Sequence, residues 1–266
     1  MTEPYYKHHW VEVEPERHRA YEQILDFHRG LEPMVAALDL HPGMHVLDVG
    51  SGPGQTTIEL ARRVGQSGRI TAIDINREFV VTATERARKA EVEARIEFIN
   101  SEFPPLPFPD SNFERVWCKN VLEYVDSAEA TIKEMARVAA RGALVAVIDS
   151  DWEMIALEIE PEAQDRSDRI IRKALEVAIR EPRIGRKLHG LFRAAGLKEV
   201  KVAIMAGADL RGAAVAMQRA SFARYAVDAG VAATEVAGWL QDIENAIVRE
   251  RYLFVLPQFV VTGIKQ

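Results

Sequence analysis

Three glycines follow an aspartate at the end of an apolar run, in the stretch VLDVGSGPGQTTIELA that covers Val46–Ala61. The glycines, Gly50, Gly52 and Gly54, let the backbone come close to a ligand. A helical pattern begins directly after them, and the N-terminus of a helix offers unpaired N–H groups and the positive end of a dipole. The stretch therefore predicts a ligand-binding loop that suits a phosphate or a carboxylate.

The spacing of this loop argues against two common nucleotide-binding motifs. Gly50, Gly52 and Gly54 form G-x-G-x-G, whereas the dinucleotide fingerprint is G-x-G-x-x-G. The phosphate loop of nucleoside triphosphatases has Lys and then Ser or Thr after its last glycine, and this chain has Gln55 and Thr56 there. A nicotinamide-dependent oxidoreductase is therefore the weaker interpretation.

Two carboxylates narrow the choice of ligand further. Asp48 lies just before the first loop glycine, where it would repel a pyrophosphate but suits an ammonium group, or can order the loop through its amides. Asp74 closes the run RITAID about twenty residues after Gly54, where an acid accepts hydrogen bonds from both ribose hydroxyls. The alternative for Asp74 is a helix N-cap. A ligand with a ribose, an adenine-like base and an amino-acid tail is expected, and S-adenosylmethionine has these parts.

Taken together, the motifs resemble those of class I S-adenosylmethionine-dependent methyltransferases, and most closely the ubiquinone/menaquinone-biosynthesis type and its small-molecule relatives. Val46–Gly54 matches the first motif of that family, acid-x-Gly-x-Gly-x-Gly. The stretch SEFPPLPFPDSNFERVW resembles its L-P-F-x-D segment. Asn120–Val125 resembles its L-x-H-V segment, with Tyr124 where His is common. The resemblance covers residues 40–150 well and the remainder more loosely.

The resemblance implies where the cofactor would be held. Glu102 stands where an Asp usually contacts the adenine amino group, and Phe103 lies beside the ring. The implied cofactor-binding residues are Asp48, Gly50, Ser51, Gly52, Gly54, Gln55, Thr56, Asp74, Ile75, Glu102, Phe103, Lys119 and Asn120.

The pattern identifies no catalytic residue and no metal ligand. A methyl sulfonium is already an activated electrophile, so the protein mainly has to align the acceptor and exclude water. Asp149 and Asp151 are expected at the carboxyl edge of the sheet, facing the acceptor pocket, and not as metal ligands. The sequence does not distinguish among the residues that could act as a base for a hydroxyl acceptor, which are His8, His9, Tyr21, His28 and His189.

Short β-branched runs alternate with amphipathic helices through the first 150 residues, which predicts parallel strands joined by crossover helices. Helices are then expected at about Pro15–Leu40, Asp165–Ile179 and Ile184–Ala195, and a helical insert at about Leu210–Val248. The expected fold is a Rossmann-like, doubly wound α/β sheet of seven mostly parallel strands with an antiparallel last strand. Pro257 interrupts that strand, which predicts an edge or a bulge there.

The expected organisation is one domain with helical additions. Residues 1–40 would form an N-terminal helical cap, residues 41–150 the cofactor-binding core, and residues 151–266 the rest of the domain, with a substrate lid at about 208–250. The apolar stripe between Val236 and Ile247 favours packing. The stretch MQRASFARY fits either an acceptor cavity or a core face, and the opening YYKHHW either a floppy terminus or a cover over the cofactor.

The amino-acid composition argues against several classes of function. The 266 residues carry a net charge of -6, which argues against a general nucleic-acid or membrane-surface binder. The single cysteine, Cys118, rules out an internal disulfide and a Cys-rich zinc site, and the opening residues lack the apolar region of a secretory signal. We therefore expect a cytoplasmic methyltransferase that acts on oxygen, carbon or nitrogen of a small molecule by in-line displacement. A homodimer is a further expectation, and the alternative is a regulatory or accessory protein that binds the cofactor without transferring the methyl group.

Overall fold

The computed structural model describes residues 31–266 together with Trp10, Val11, Val13 and His18. Its main sheet has seven strands in the order β3-β2-β1-β4-β5-β9-β7. Within the described residues the strands are β1 (His45–Val49), β2 (Arg69–Asp74), β3 (Ile96–Asn100), β4 (Phe113–Lys119), β5 (Ala139–Ser150), β6 (Ala156–Glu158), β7 (Lys198–Met205), β8 (Leu253–Val255) and β9 (Gln258–Ile264). The first five strands pair in parallel, and β9 is antiparallel to both β5 and β7. The predicted sheet is thereby confirmed.

Helices cover both faces of the sheet and continue into the C-terminal part. They are α1 (Glu32–Ala36), α2 (Gln55–Arg63), α3 (Arg77–Lys89), α4 (Ala128–Val138), α5 (Pro161–Ala178), α6 (Ile184–Ala194), α7 (Val215–Met217), α8 (Ala223–Asp228) and α9 (Ala233–Val248). A π-helical turn, Gln218–Phe222, joins α7 to α8. Side-chain caps define the first residue of two helices. The Asn76 side chain accepts a hydrogen bond from the N–H of Phe79 at the start of α3, and the Ser127 hydroxyl accepts one from the N–H of Ala130 at the start of α4.

Two predicted helix boundaries differ from the observed ones. α5 begins at Pro161, earlier than expected, because proline has no N–H to lose in the first turn of a helix. Most of the helix predicted over Pro15–Leu40 lies outside the described residues, and within them α1 begins at Glu32 with Pro33 in its first turn. The helix predicted at Ile184–Ala195 is confirmed, and Gly196 follows it with a φ of 84°.

The prediction for Pro257 is wrong. The chain does not form one interrupted strand there: β8 pairs with β6 in a separate two-stranded sheet, and β9 lies between β5 and β7 inside the main sheet. Pro257 lies in the connection between β8 and β9. No backbone N–H is needed there for a hydrogen bond between strands, so proline is tolerated. Its carbonyl accepts a hydrogen bond from the N–H of Asp151, 3.2 Å away.

Helices α8 and α9 pack on α5 and form a second core beside the sheet. Val236, Trp239 and Ile243 of α9 are buried there, and the Trp239 indole N–H donates to the hydroxyl of Ser167 at 2.9 Å. The packing role predicted for this stripe is confirmed. Along the described part of the chain, no helix has the length and apolar character that crossing a lipid bilayer requires.

Candidate cofactor and acceptor site

A cavity of about 740 Å³ opens at the carboxyl ends of β1, β2 and β4. This size lies within the range of roughly 300–1,000 Å³ found for small-molecule sites, and the position is where doubly wound sheets bind their ligands. Every predicted cofactor residue except Gly54 lines it: Asp48, Gly50, Ser51, Gly52, Gln55, Thr56, Asp74, Ile75, Glu102, Phe103, Lys119 and Asn120.

Gly54 does not line the cavity. It precedes α2 with a φ of 87°, and a Cβ atom at this position would lie 2.7 Å from the Cβ of Ala83 on α3. A glycine is required here so that the start of α2 can approach α3 closely. Gly54 therefore has a packing role, and its contact with the cofactor stays a prediction.

The other end of the loop approaches a different element. Gly50 has a φ of 76°, and its N–H donates to the carbonyl of Ile73 at 2.8 Å. A Cβ atom on Gly50 would overlap the Cγ2 methyl of Val121, in the segment that follows β4. The first glycine thus allows the loop after β1 and the segment after β4 to come together at the cavity wall.

Replacement of Gly50 by alanine is expected to lower the free energy of unfolding by about 3 kcal/mol. The change adds left-handed backbone strain to the overlap with Val121. Urea denaturation measures the loss, and a Val121→Ala change in the same chain should recover the part caused by overlap. Gly190→Ala is the matched control, because nothing lies within 4 Å of a Cβ there, and an equal loss in that variant would contradict the explanation.

Asp48 and Asp74 are both buried at the base of the glycine loop. Thr57 donates its hydroxyl proton to Asp48 Oδ2 at 2.6 Å, which ties the acid to the first turn of α2. Asp74 accepts the N–H of Gly52 at 2.7 Å on Oδ2 and the N–H of Asn76 at 2.8 Å on Oδ1. Burial raises the pKa of Asp48 to about 7 and that of Asp74 to about 6.

These contacts decide between the alternatives left open by the sequence. Asp48 both orders the start of α2 and lines the cavity. Asp74 is not the cap of α3, because Asn76 fills that position and accepts from the N–H of Phe79 at 2.9 Å. Each Asp74 oxygen has a second lone pair, so the carboxylate can also accept hydrogen bonds from a ligand.

The polar atoms around the loop fit a nucleoside that carries an amino-acid tail. Ser51 Oγ and Asn120 Oδ1 are buried and have no hydrogen-bond partner among the described residues, so a ligand could satisfy both. Lys119 also lines the cavity, where burial lowers its pKa against the opposing effect of nearby carboxyl groups, including Asp48. The ammonium group of Lys119 suits the carboxylate of an amino-acid tail, and the neighbouring carboxyl groups suit its ammonium group.

The remainder of the cavity is an apolar chamber that the sequence analysis largely missed. It is built from Tyr124, Trp152, Leu175, Ala178, Ile179, Met217, Ser221, Phe222, Tyr225 and Leu256. Four of these belong to MQRASFARY, for which both an acceptor cavity and a core face were open. These four residues line the cavity, and Phe222 and Tyr225 are also part of the second core, so the core-face interpretation is confirmed and the acceptor role stays a prediction.

The described part of the N-terminal region reaches the cavity. Trp10 and Val11 line it, and the Trp10 ring lies with its centroid 4.9 Å from that of Tyr124. Trp10 is the described residue of the YYKHHW stretch, and the others lie outside the described residues. His8, His9, Tyr21 and His28 are likewise outside them, and His189 is exposed on α6 and does not line the cavity.

Asp149 and Asp151 do not face the cavity, so that expectation is wrong. Asp149 is fully buried, and its carboxylate accepts the N–H groups of Val121, Leu122 and Ser150 at 3.3, 2.9 and 3.0 Å. Asp151 is also fully buried and pairs with Arg186, whose Nη2 lies 2.7 Å from Oδ1. Both carboxylates are engaged within the protein, which leaves the cavity-facing position to Glu123.

The fold and the site define an α/β protein whose cavity at the carboxyl edge of a doubly wound sheet fits a nucleoside ligand. Residues 40–196 match the family model described as a methyltransferase domain, and the chain belongs to this family. The resemblance seen in the motifs is thereby confirmed.

Known proteins similar to this chain agree with that assignment. The ubiquinone/menaquinone biosynthesis C-methyltransferase UbiE of Shewanella pealeana is 32% identical over 108 residues, which cover 41% of this chain and 43% of UbiE. The match thus spans less than half of that curated relative. YcgJ of Bacillus subtilis has a similar structure, with a TM-score of 0.63 at 18% identity over 90% of this chain and 99% of YcgJ. Phosphoethanolamine N-methyltransferase 2 of Haemonchus contortus, solved with S-adenosylhomocysteine, gives 0.62 at 13% identity over 98% of this chain and 60% of that one.

Proposed function

We propose that this protein is an S-adenosylmethionine-dependent methyltransferase that acts on a small-molecule acceptor. The observation that carries the proposal is the pair of buried carboxylates, Asp48 and Asp74, on either side of a G-x-G-x-G loop at the cavity floor. A pyrophosphate would be repelled there, whereas a ribose and an ammonium group would be bound.

The residues that line the cavity would hold the parts of the cofactor in a consistent order. Asp74 would accept the ribose hydroxyls, while Glu102 and Phe103 would meet the adenine amino group and ring. Asp48 and Lys119 would face the amino-acid tail, together with the amides of the glycine loop. Ser51, Gln55, Thr56, Ile75 and Asn120 would complete the contact.

The cofactor, when bound, supplies a methyl group on a sulfonium. The task left to the protein is to align the acceptor and to keep water away. The apolar chamber serves both needs, because its aromatic and aliphatic side chains adjoin the cofactor half of the same cavity. Trp10 and Val11 at the cavity wall support a covering role for the N-terminal region. The relatives named as C-methyltransferases make carbon a candidate target beside oxygen and nitrogen.

Methyl transfer can be tested directly with cofactor labelled on its methyl group. We expect labelled product and S-adenosylhomocysteine when the protein meets a panel of phenols, quinols and amines. Binding of the cofactor without transfer to any of them would favour an accessory protein, and an absence of binding would contradict the proposal.

Four wider proposals accompany the function. Residues 41–150 would form the cofactor-binding core, residues 1–40 a cap, and residues 151–266 the rest of the domain with a lid at about 208–250. The net charge of -6 supports the exclusion of nucleic-acid acceptors, and the lone Cys118 supports a cytoplasmic site of action. A homodimer remains a prediction, which sedimentation analysis would test.

A further inference from the structure

A buried carboxyl pair lies under the boundary between the cofactor half of the cavity and the apolar chamber. Glu123 lines the cavity, although its side chain is almost wholly buried. The indole N–H of Trp152 donates to Glu123 Oε2, and Glu123 is hydrogen-bonded to Asp149. The Glu123 carbonyl accepts the N–H groups of Arg180 and Glu181 at 3.1 Å each, so the residue is fixed through both its backbone and its side chain.

The environment of the pair determines which carboxyl holds a proton. Three backbone N–H groups stabilise the charge on Asp149, whose pKa burial nevertheless raises to about 6. Burial and the charge of Asp149 raise the pKa of Glu123 well above its usual range, against hydrogen bonds from Trp152 and Tyr124. Asp149 accepts three backbone N–H groups, whereas Glu123 accepts one indole N–H, so the charge of the pair is favoured on Asp149 and the shared proton on Glu123. Lys119 is the neighbouring cation, and Asp48 faces the same cation.

The charges around the cavity favour an uncharged acceptor. The acidic residues among the described lining residues are Asp48, Asp74, Glu102, Glu123 and Asp126, and Lys119 lies among carboxyl groups. Arg180, the other cation of the lining, pairs with Asp126 at 2.7 Å. An anionic acceptor would meet this excess of acid, whereas a flat apolar body can pack against aromatic side chains of the cavity wall such as Trp152 and Phe222.

We propose that the acceptor is an uncharged phenol-like molecule and that Glu123 takes the proton from its hydroxyl group during methyl transfer. This inference rests on the proposed function and names the acceptor class and the base for it. The acceptor's nucleophilic atom forms a bond to the methyl carbon, and the bond from sulfur to that carbon breaks with its electron pair left on sulfur. The hydroxyl proton passes to Glu123, whose own proton shifts to Asp149, so the pair ends with two protons and later returns one to water.

2-Naphthol is a suitable probe because it has an apolar body and its hydroxyl becomes a strong acid on excitation. Where a base adjoins the hydroxyl, emission comes from the naphtholate, and where none does, it comes from the neutral form. With S-adenosylhomocysteine bound, we expect naphtholate emission from the wild-type complex and its loss in Glu123→Gln at unchanged probe affinity. The same variant should transfer methyl groups to a reactive phenol about 100-fold more slowly or worse, because general bases contribute about 10²–10⁴-fold.

Glu129→Gln is the matched control. Glu129 is exposed on α4 and forms a salt bridge with Lys133 at 2.7 Å. It should keep the naphtholate emission. If Glu123→Gln fails to bind S-adenosylhomocysteine, the wild type decides: its naphtholate emission should fall as the pH drops through about 6, when the pair takes a second proton. Naphtholate emission that persists in the folded Gln variant, or a probe that does not bind the wild type, would overturn the inference. If the wild-type protein does not bind S-adenosylhomocysteine, the proposed function itself would be overturned.

Discussion

Asp74→Asn is expected to weaken the binding of S-adenosylmethionine and S-adenosylhomocysteine by about 100-fold. The carboxylate would accept hydrogen bonds from both ribose hydroxyls while it holds the N–H of Gly52 at 2.7 Å. Hydrogen bonds to a charged group contribute about 1.5–3 kcal/mol each, and an amide oxygen replaces only one of the two acceptors. Isothermal titration calorimetry with S-adenosylhomocysteine measures the change.

The control for this variant is Asp110→Asn, which removes an exposed carboxylate that pairs with Arg137 at 2.7 Å. It should bind S-adenosylhomocysteine as the wild type does. If Asp74→Asn keeps its affinity within about threefold while thermal melting shows that it is folded, Asp74 does not hold the ribose.

Asp48→Asn is expected to make the ligand-free protein more stable above neutral pH. Burial raises the pKa of Asp48 from 3.8 to about 7, so between these values the folded state binds a proton that the unfolded chain releases. The free energy of unfolding therefore falls as the pH rises from about 4 to about 7, by about 4 kcal/mol for this group. Asparagine avoids the buried charge, and its side-chain oxygen can still accept from Thr57.

Urea denaturation at pH 5 and pH 8, without ligand, tests this expectation. Asp74 and Asp149 also have raised pKa values and give slopes of the same sign, so the informative quantity is the difference between wild type and variant. That difference should grow with pH in favour of Asp48→Asn, while Asp110→Asn should follow the wild type. Parallel curves for Asp48→Asn would contradict the claim that burial of this charge destabilises the free protein.

The sequence predicted the cofactor half of the site because its features are local. The run before Gly50, the loop spacing and the acid at the end of β2 lie within about thirty residues, and strand and helix periodicity places them at one edge of a sheet. The position of Gly54 against Ala83 could not be foreseen, because the distance between two helices is not encoded in spacing along the chain. The same holds for Trp10, whose place at the cavity depends on a contact with Tyr124.

The chamber and the carboxyl pair depend on contacts between distant parts of the chain. Trp152, Tyr225 and Leu256 are far apart in the sequence and come together at the cavity wall and the second core, and periodicity does not reveal such contacts. Asp149 accepts hydrogen bonds from the N–H groups that follow β4 and therefore lies beneath the cavity. Glu123, from the same segment, lines the cavity. The family resemblance concerns the neighbouring Tyr124 and assigns no role to Glu123. The sequence of this segment does single out Glu123, because a carboxylic acid in an otherwise apolar stretch after a strand is unusual.

The most direct test of the central claim is a calorimetric titration of the wild-type protein with S-adenosylmethionine, S-adenosylhomocysteine and NADH under one set of conditions. The acids at positions Asp48 and Asp74 should admit both sulfur-containing nucleosides at one site per chain and exclude the dinucleotide. Preference for NADH, or no heat from either sulfur compound with folded protein, would contradict the account.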